Sequence, residues 1–198
     1  MRSYPAVLFC LFVALFIVFG VSPASRSVWF AEILPVAAAA AFLAWSYTRF
    51  RLSNTAYTFC FFWLALHTVG AHYTFADVPF DWAEPLFGAT RNHFDRIGHF
   101  TVGFYAFPVA EWLSRRRWMS PLLAGIFGLF FVMAVAAAYE IIEWQYAVIV
   151  GGDKADDFLG SQGDPWDAQK DMLCDTCGAL FSLIFFFAMK PWRLKAKK

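Results

Sequence analysis

Six long, mainly apolar stretches constrain this chain more than any other feature of its sequence. They occupy residues 4–21, 29–47, 55–75, 93–113, 120–148 and 167–189. Each is close to, or longer than, the roughly 20 apolar residues that a helix needs to cross a bilayer. Only 16% of the chain is charged, against about 25% in soluble domains. The sequence therefore predicts an all-α integral membrane bundle of six transmembrane helices, forming one polytopic domain over residues 1–198.

Composition excludes two other classes of protein. With 60% hydrophobic residues and a net charge of +1, the chain is too apolar and too neutral to remain disordered. The same near-neutral charge lacks the basic footprint of a nucleic-acid binder. We therefore expect membrane lipids as partners, together with self-association into a homo-oligomer, and no nucleic acid.

The first stretch has a second interpretation as a cleaved signal peptide. Arg2 precedes it, and Ser22-Pro23-Ala24 is an acceptable cleavage site. The apolar run over residues 6–21 is slightly long for a signal peptide, which favours a retained helix. Cleavage would leave the other five predicted helices unchanged.

The charges in the connecting segments predict the orientation of the chain. Eleven of the 16 basic residues fall on the side that holds both termini, and 14 of the 15 acidic residues fall on the opposite side. Glu111 is the one acid on the basic side. The positive-inside rule therefore predicts that both termini lie in the cytoplasm.

Polar residues of four predicted helices lie at a similar depth. A rise of about 1.5 Å per residue places them roughly 20 to 34 Å from the inner boundary, in or just below the outer interface. This layer comprises His67, His72, Asp95, His99, Glu140, Glu143, Asp167, Asp171 and Asp175.

Helical spacing predicts that these groups line shared faces. His99 follows Asp95 by four positions, with Asn92 three positions before Asp95, and Glu143 follows Glu140 by three. Residues three and four apart share one side of a helix, so the acids at 164, 167, 171 and 175 also form a single stripe. Because lipid does not hydrate a carboxylate, such stripes usually face a bundle interior or a wet cavity. We expect the stripes to converge on one outward-opening cavity.

Structural interpretations of the same residues stay open. Asp164 followed by Pro165 is typical of a helix start. Asp95 could pair with Arg91 or Arg96, and His99 could be a satisfied core histidine. A wetted helix end is a further explanation for the two glutamates, although the dipole at that helix end opposes acids.

The residue types in the layer suggest two kinds of chemistry. Carboxylates and imidazole suit a divalent metal ion, for which Asp95, His99 and Asp171 are the candidate ligands. Clustered acids otherwise share protons. The candidate acid or base residues are Glu140, Glu143 and Asp167, and the other candidate pocket residues are Asn92, Asp164, Asp175 and His72.

Three ordered motifs resemble the YjdF-type family of bacterial inner membrane proteins. They are NHFDRIGHF at residues 92–100, YEIIEW at 139–144 and GSQGDPWDAQKDM at 160–172. This resemblance implies a multi-pass protein of the bacterial inner membrane and no particular reaction.

A weaker likeness connects the chain to VanZ-like membrane proteins. Asp95-Arg96-x-x-His99-Phe100 is similar to their Asp-basic-x-x-His-Phe block, and Glu140, Glu143 and Asp171 match by position. The acidic, glycine-containing segment after Glu143 departs from their usual basic one. This likeness implies that the handled molecule is an envelope lipid or cell-wall precursor.

These observations lead to one functional hypothesis with two alternatives. We expect an acidic, histidine-containing pocket near the periplasmic face that binds a cation or a polar lipid headgroup, with metal-assisted lipid or envelope-precursor chemistry as its enzymatic form. The first alternative is a small proton- or ion-coupled transporter acting as an oligomer, although the sequence has no clear broken helix or inverted repeat. The second is a non-catalytic membrane scaffold.

Overall fold

The computed structural model describes residues 4–80, 91–151 and 161–194, and these ranges contain seven α-helical segments. They are α1 Tyr4–Gly20, α2 Arg26–Tyr47, α3 Asn54–Tyr73, α4 Phe94–Val102, α5 Ala106–Arg115, α6 Pro121–Val150 and α7 Asp167–Met189. Short 3-10 turns cover Gly103–Tyr105 and Pro191–Arg193. The described ranges contain no strand, so the fold class is all-α as predicted.

Three of these helices are long and apolar enough to cross a membrane. They are α2, α7 and the Pro121–Ile149 part of α6. The shorter helix α1 is also apolar. Large hydrophobic side chains on α6, including Leu122 and Phe130, are more than 60% exposed. An apolar surface of this kind is suited to contact with lipid.

Serine residues begin three helices. The side chains of Ser25, Ser53 and Ser120 accept hydrogen bonds from backbone amides in the first turns of α2, α3 and α6. Each bond satisfies one of the amide groups that a helix start leaves unpaired.

Helix α7 begins at Asp167, two residues after Pro165, which is the first helical position that the Asp164-Pro165 pair indicates. Asp164 Oδ1 instead accepts a hydrogen bond from the amide of Trp166, 3.0 Å away, and forms a turn before the helix. The carboxylate therefore organises the approach to α7 rather than capping its first turn.

The fourth predicted helix is broken, which corrects the expectation of a continuous one. Helices α4 and α5 are joined by the 3-10 turn over Gly103–Tyr105. Pro108 explains the break, because it has no amide hydrogen to donate to the carbonyl of Phe104 and its ring crowds that carbonyl. The hydroxyl oxygen of Ser182 in α7 lies 3.3 Å from the carbonyl oxygen of Gly103 and supports the turn.

Two glycines allow α7 to lie directly against α4 and the turn that follows it. A Cβ atom added to Gly178 would lie 1.8 Å from the carbonyl oxygen of Phe100, and one added to Gly103 would lie 2.3 Å from the amide nitrogen of Ala179. Small residues bring membrane helices together in this way. The close crossing places the polar face of α4 opposite that of α7.

Two larger apolar cores, together with a small one around Phe75 and Phe94, fill the space between the described helices. One joins α3, the broken helix and α7 around Phe59, Phe107 and Phe186. The other joins α1, α2 and α3 around residues that include Trp29 and Trp63. Helix α3 contributes to both and packs against α1, α2 and α4.

Glu111 ties the opposite end of the broken helix to α3. Its fully buried carboxylate accepts hydrogen bonds from the amide and hydroxyl of Ser53 at 2.7 and 2.6 Å, and pairs with Arg115 at 2.5 Å. This acid, which stood alone among the basic residues in the sequence, is a structural element that anchors the start of α3.

The glycine crossing makes a specific stability prediction. We expect Gly178→Val to destabilise the protein by about 1–3 kcal/mol, because the new side chain forces α4 and α7 apart. This corresponds to a loss of about 3–10 °C in the thermal unfolding midpoint of the full chain in detergent. Ala188→Val adds similar bulk at an exposed position on the same helix and serves as the control. Equal midpoints for the two variants would contradict the close crossing.

Candidate functional site

His99 lies between two carboxylates at the crossing of α4 and α7. Its Nδ1 is 3.1 Å from Asp175 Oδ2, and its Nε2 is 3.7 Å from Asp95 Oδ1. Asp95 precedes His99 by one helical turn, whereas Asp175 comes from α7. Both imidazole nitrogens therefore face acidic groups, an arrangement that favours holding a proton or another cation there.

Arg96 binds the neighbouring part of the α7 stripe. Its guanidinium forms close ion pairs with Asp167 and Asp171, and a longer one of 3.3 Å with Asp164. The side chain of Asp171 is only 4% exposed in this arrangement. A planar guanidinium with several donors is well suited to bridging carboxylates in this way.

Arg91 and Lys170 complete the charge pairing at this end of the helices. Arg91 lies 2.8 Å from Asp167 and 4.0 Å from Asp95, and it donates a hydrogen bond to the carbonyl of Ser161. Lys170 lies 2.6 Å from Asp164. That hydrogen bond from Lys170 holds the pKa of the Asp164 carboxyl below its usual value. We call the group formed by Arg91, Arg96, Asp164, Asp167, Lys170 and Asp171 the ion-pair cluster.

The side chains of Asp95, His99 and Asp171 lie close enough together to bind one metal ion. One ligand atom from each of Asp95, His99 and Asp171 lies within 4.8 Å of the others. The donor set of two carboxylates and one imidazole suits a divalent ion such as Zn²⁺ or Mn²⁺. Arg96 already occupies one oxygen of Asp171, so a metal would share that carboxylate with the guanidinium.

A second polar group lies between α2, α3 and α6. Glu32 is 2% exposed, and its Oε2 lies 3.1 Å from His67 Nε2. Tyr139 donates a hydrogen bond of 2.8 Å to the same carboxylate oxygen. Glu143, one turn after Tyr139, is also buried.

A single cavity of about 270 Å³ joins this group to the His99 pair. Its polar wall comprises Glu32, His67, Asp95, His99, Tyr139, Glu143 and Asp175. Its apolar wall includes Pro35, Ala39, Phe131, Val135 and Ala136. The cavity is therefore amphiphilic, and we call it the central cavity.

Among the residues that the structure describes, the buried polar atoms without a hydrogen-bond partner include two from the lining of this cavity. Oδ1 belongs to Asp175, which is 0% exposed, and Nε1 belongs to Trp63, which is 7% exposed. A buried polar group without a partner costs about 1–3 kcal/mol. These unsatisfied groups indicate that the cavity is suited to a polar ligand.

Comparisons with known proteins agree with this membrane architecture. The family model described as "Predicted membrane protein (DUF2238)" matches residues 4–191. The inner membrane protein YjdF of Escherichia coli K12 is 36% identical over 174 residues, which cover 84% of this chain and 80% of that protein. This chain belongs to the DUF2238 family. No solved structure matches it significantly.

Family membership confirms the resemblance to YjdF-type proteins. Together with the apolar helices, it identifies the chain as a multi-pass protein of the bacterial inner membrane.

The structure brings together some of the predicted site residues. Asp95, His99 and Asp175 line the central cavity, with Glu143 on the same wall. Asp164, Asp167 and Asp171 belong to the ion-pair cluster.

Three other predicted residues occupy different environments. Glu140 is half-buried, and its Oε1 has no hydrogen-bond partner. Asn92 accepts a hydrogen bond from the amide of Phe94 and donates one to the carbonyl of Val78, so it supports the start of α4. His72 lies with its Nδ1 2.9 Å from the carbonyl oxygen of Phe19 and joins α3 to α1. None of these three lines the central cavity.

Sequence reasoning left Glu32, His67 and Tyr139 out of the site. Glu32 is the only charged residue in the predicted span 29–47, and His67 lies in α3, which contains no aspartate, glutamate, lysine or arginine. An isolated charge in a membrane helix is itself a signal of function or pairing. That signal could have identified Glu32 and His67 as candidate site residues. It could not have predicted that they share a cavity with His99.

The stability of the protein should depend unequally on the basic residues of the ion-pair cluster. We expect Arg96→Met to destabilise the protein by roughly 3 kcal/mol, because it leaves Asp167 and Asp171 without their main partner. Lys170→Met, at a side chain that is 53% exposed, removes the same charge and should cost less than about 1 kcal/mol. Thermal unfolding of the full chain in detergent measures both values.

Combining Arg96→Met with Asp171→Asn tests the pairing itself. The double variant should be more stable than the sum of the two single losses indicates, because both members of one ion pair are then removed. Additive losses would contradict a direct interaction between the two side chains.

Proposed function

We propose that this chain is a six-span inner membrane protein, with both termini in the cytoplasm, whose central cavity binds a cation. The cation is either free or part of a polar headgroup. The observation that carries the proposal is the composition of the cavity wall, to which four carboxyl groups and two imidazoles contribute. The carboxyls belong to Glu32, Asp95, Glu143 and Asp175, and the imidazoles to His67 and His99.

The charge balance of this wall supports a bound positive charge. Even with both histidines protonated, four ionised carboxylates exceed them by two charges. Excess buried charge is costly, so it has to be neutralised by protons or by a cation. The unpartnered Oδ1 of Asp175 supplies a free acceptor on this wall.

Metal-assisted chemistry is a second candidate function. It is favoured by the proximity of Asp95, His99 and Asp171. In that form, the three side chains would hold a divalent ion, and the ion would activate water for attack on a lipid or envelope precursor. Of the candidate acid or base residues, Glu143 would then act as the general base, because it lines the same cavity as Asp95 and His99.

The break between α4 and α5 supports the alternative function of a transporter. Val102 and Tyr105, at the break between α4 and α5, both line the central cavity. Discontinuous helices beside a binding site are typical of proton- and ion-coupled transporters. Under this alternative, the cation bound in the cavity is the transported or coupling ion.

A titration with ethanolamine, a small organic cation, tests whether the cavity binds a positively charged ligand. We expect ethanolamine at neutral pH to raise the thermal midpoint of the purified full chain, because a ligand that binds the folded state stabilises it. Ethylene glycol, which is similar in size but uncharged, should have no effect. Asp175→Asn should weaken the ethanolamine effect, whereas Asp77→Asn, at an exposed acid, should leave it unchanged.

Zn²⁺ or Mn²⁺ in the same assay distinguishes the two candidates. Asp171→Asn should abolish a metal effect but preserve the ethanolamine effect, because Asp171 is a candidate metal ligand outside the cavity wall. An absence of any shift with ethanolamine and with both metals would contradict cation binding and favour the scaffold alternative.

Reporter insertions test the proposed topology. Alkaline phosphatase inserted at the turn of Gln162 and Gly163 should be active, because we expect that turn to face the periplasm. The same insertion at Arg117, between α5 and α6, should be inactive, and green fluorescent protein at the C-terminus should fluoresce. Phosphatase activity at Arg117 would contradict six spans with cytoplasmic termini.

A further inference from the structure

The apolar wall of the central cavity lies between two helices that contribute few contacts to one another. Helix α2 packs against α3, whereas α6 packs against α5 and α7. The hydrogen bond from Tyr139 to Glu32 connects α2 to α6 at the polar end of the cavity. We call the apolar part between Pro35 and Ala39 on α2 and Phe131 and Val135 on α6 the α2–α6 cleft.

The α2–α6 cleft opens toward the lipid-facing surface. Phe131 and Val135 line the cavity and are each 43% exposed, while Pro35 and Ala39 are half-buried. In a membrane helix, exposed apolar side chains at this position contact acyl chains. A molecule in the bilayer can therefore reach the cavity through this cleft.

Charge makes the approach over the outer ends of α4 and α7 less favourable for a cation. The guanidiniums of Arg91 and Arg96 lie there beside Asp95, Asp167 and Asp171. They already neutralise the carboxylates of that end. The less compensated carboxylates are those of the cavity wall, where the partners of Glu32 and Asp175 are His67, His99 and Tyr139.

A free ion does not enter from hydrocarbon, because carrying an unpaired charge into the bilayer is expensive. A lipid carries its charged headgroup at the interface and its tail in the core. It therefore matches a cavity with acids at one end and apolar side chains at the other. The volume of about 270 Å³ suits a small headgroup and the first part of a tail, with the remainder in the bilayer.

We propose that the central cavity binds a membrane lipid with a primary ammonium headgroup, and that the lipid enters sideways through the α2–α6 cleft. The ammonium group lies against Asp175, Glu32 and Glu143, and the tail passes between Ala39 and Val135. This inference rests on the proposed cation binding and adds the class of ligand and its route of entry.

Lipid retention by cleft variants tests the proposal. The full chain is reconstituted in vesicles with equal amounts of phosphatidylethanolamine and phosphatidylglycerol, extracted gently, and examined by native mass spectrometry for bound lipid. We expect the unmodified protein to retain phosphatidylethanolamine at least tenfold over phosphatidylglycerol. Ala39→Phe should lower that retention at least tenfold, because the ring fills the cleft, whereas Ala41→Phe, exposed on the same helix, should not.

A second cleft variant keeps the test valid if Ala39→Phe does not fold. Val135→Trp places bulk at the partly exposed rim from the α6 side, where the fold tolerates it, and should also lower retention. Both cleft variants should keep the thermal shift with ethanolamine, since a small soluble amine does not need the tail site.

The outcomes separate the two proposals. Loss of lipid with retention of the ethanolamine shift supports entry through the cleft. Equal lipid retention by Ala39→Phe, Val135→Trp and Ala41→Phe, or equal retention of the two lipids, overturns the lipid inference while cation binding stands. A missing ethanolamine shift in the unmodified protein also overturns the lipid inference, and a missing shift with Zn²⁺ and Mn²⁺ as well overturns cation binding itself.

Discussion

The close crossing of α4 and α7 is the constraint on which the polar site depends. Gly178 has no room for a Cβ atom beside the carbonyl of Phe100, and Gly103 meets the backbone of α7 in the same way. With the backbones this close, side chains one turn away on each helix come within ion-pair distance. The His99–Asp175 pair and the contacts of Arg96 with the α7 stripe follow from that approach.

Charge is distributed over two levels of the bundle. In the ion-pair cluster, arginine and lysine side chains compensate the acids, which makes this group a structural connection between α4, α7 and the segment before α7. In the central cavity, the carboxyls face imidazoles, a tyrosine hydroxyl and apolar side chains. Because of this difference in compensation, we expect the first group to contribute mainly to stability, and we propose the second as the ligand-binding group.

Particular residues show how far sequence reasoning reached. Helical spacing predicted that Asp95 and His99 share a face, because residues four apart on a helix lie on the same side. Depth predicted that Asp175 belongs to the same polar layer, and in the structure His99 lies between the two carboxylates. The same reasoning included Asn92, whose side chain supports the start of α4, and His72, which joins α3 to α1. Depth is an insufficient criterion for these two residues, because it contains no information about the direction in which a side chain points.

The sequence by itself determined the membrane class and the all-α fold, since these depend on the length and apolar character of the segments. The depth of the acids stays a prediction from a constant rise per residue. Tertiary structure decided which acids meet arginine, which meet histidine, and that Glu32 of α2 joins them. The physical reason is that the rotation of each helix about its axis is set by packing against its neighbours. Local spacing cannot specify that rotation, and the glycine crossing and the break at Pro108 decide it here.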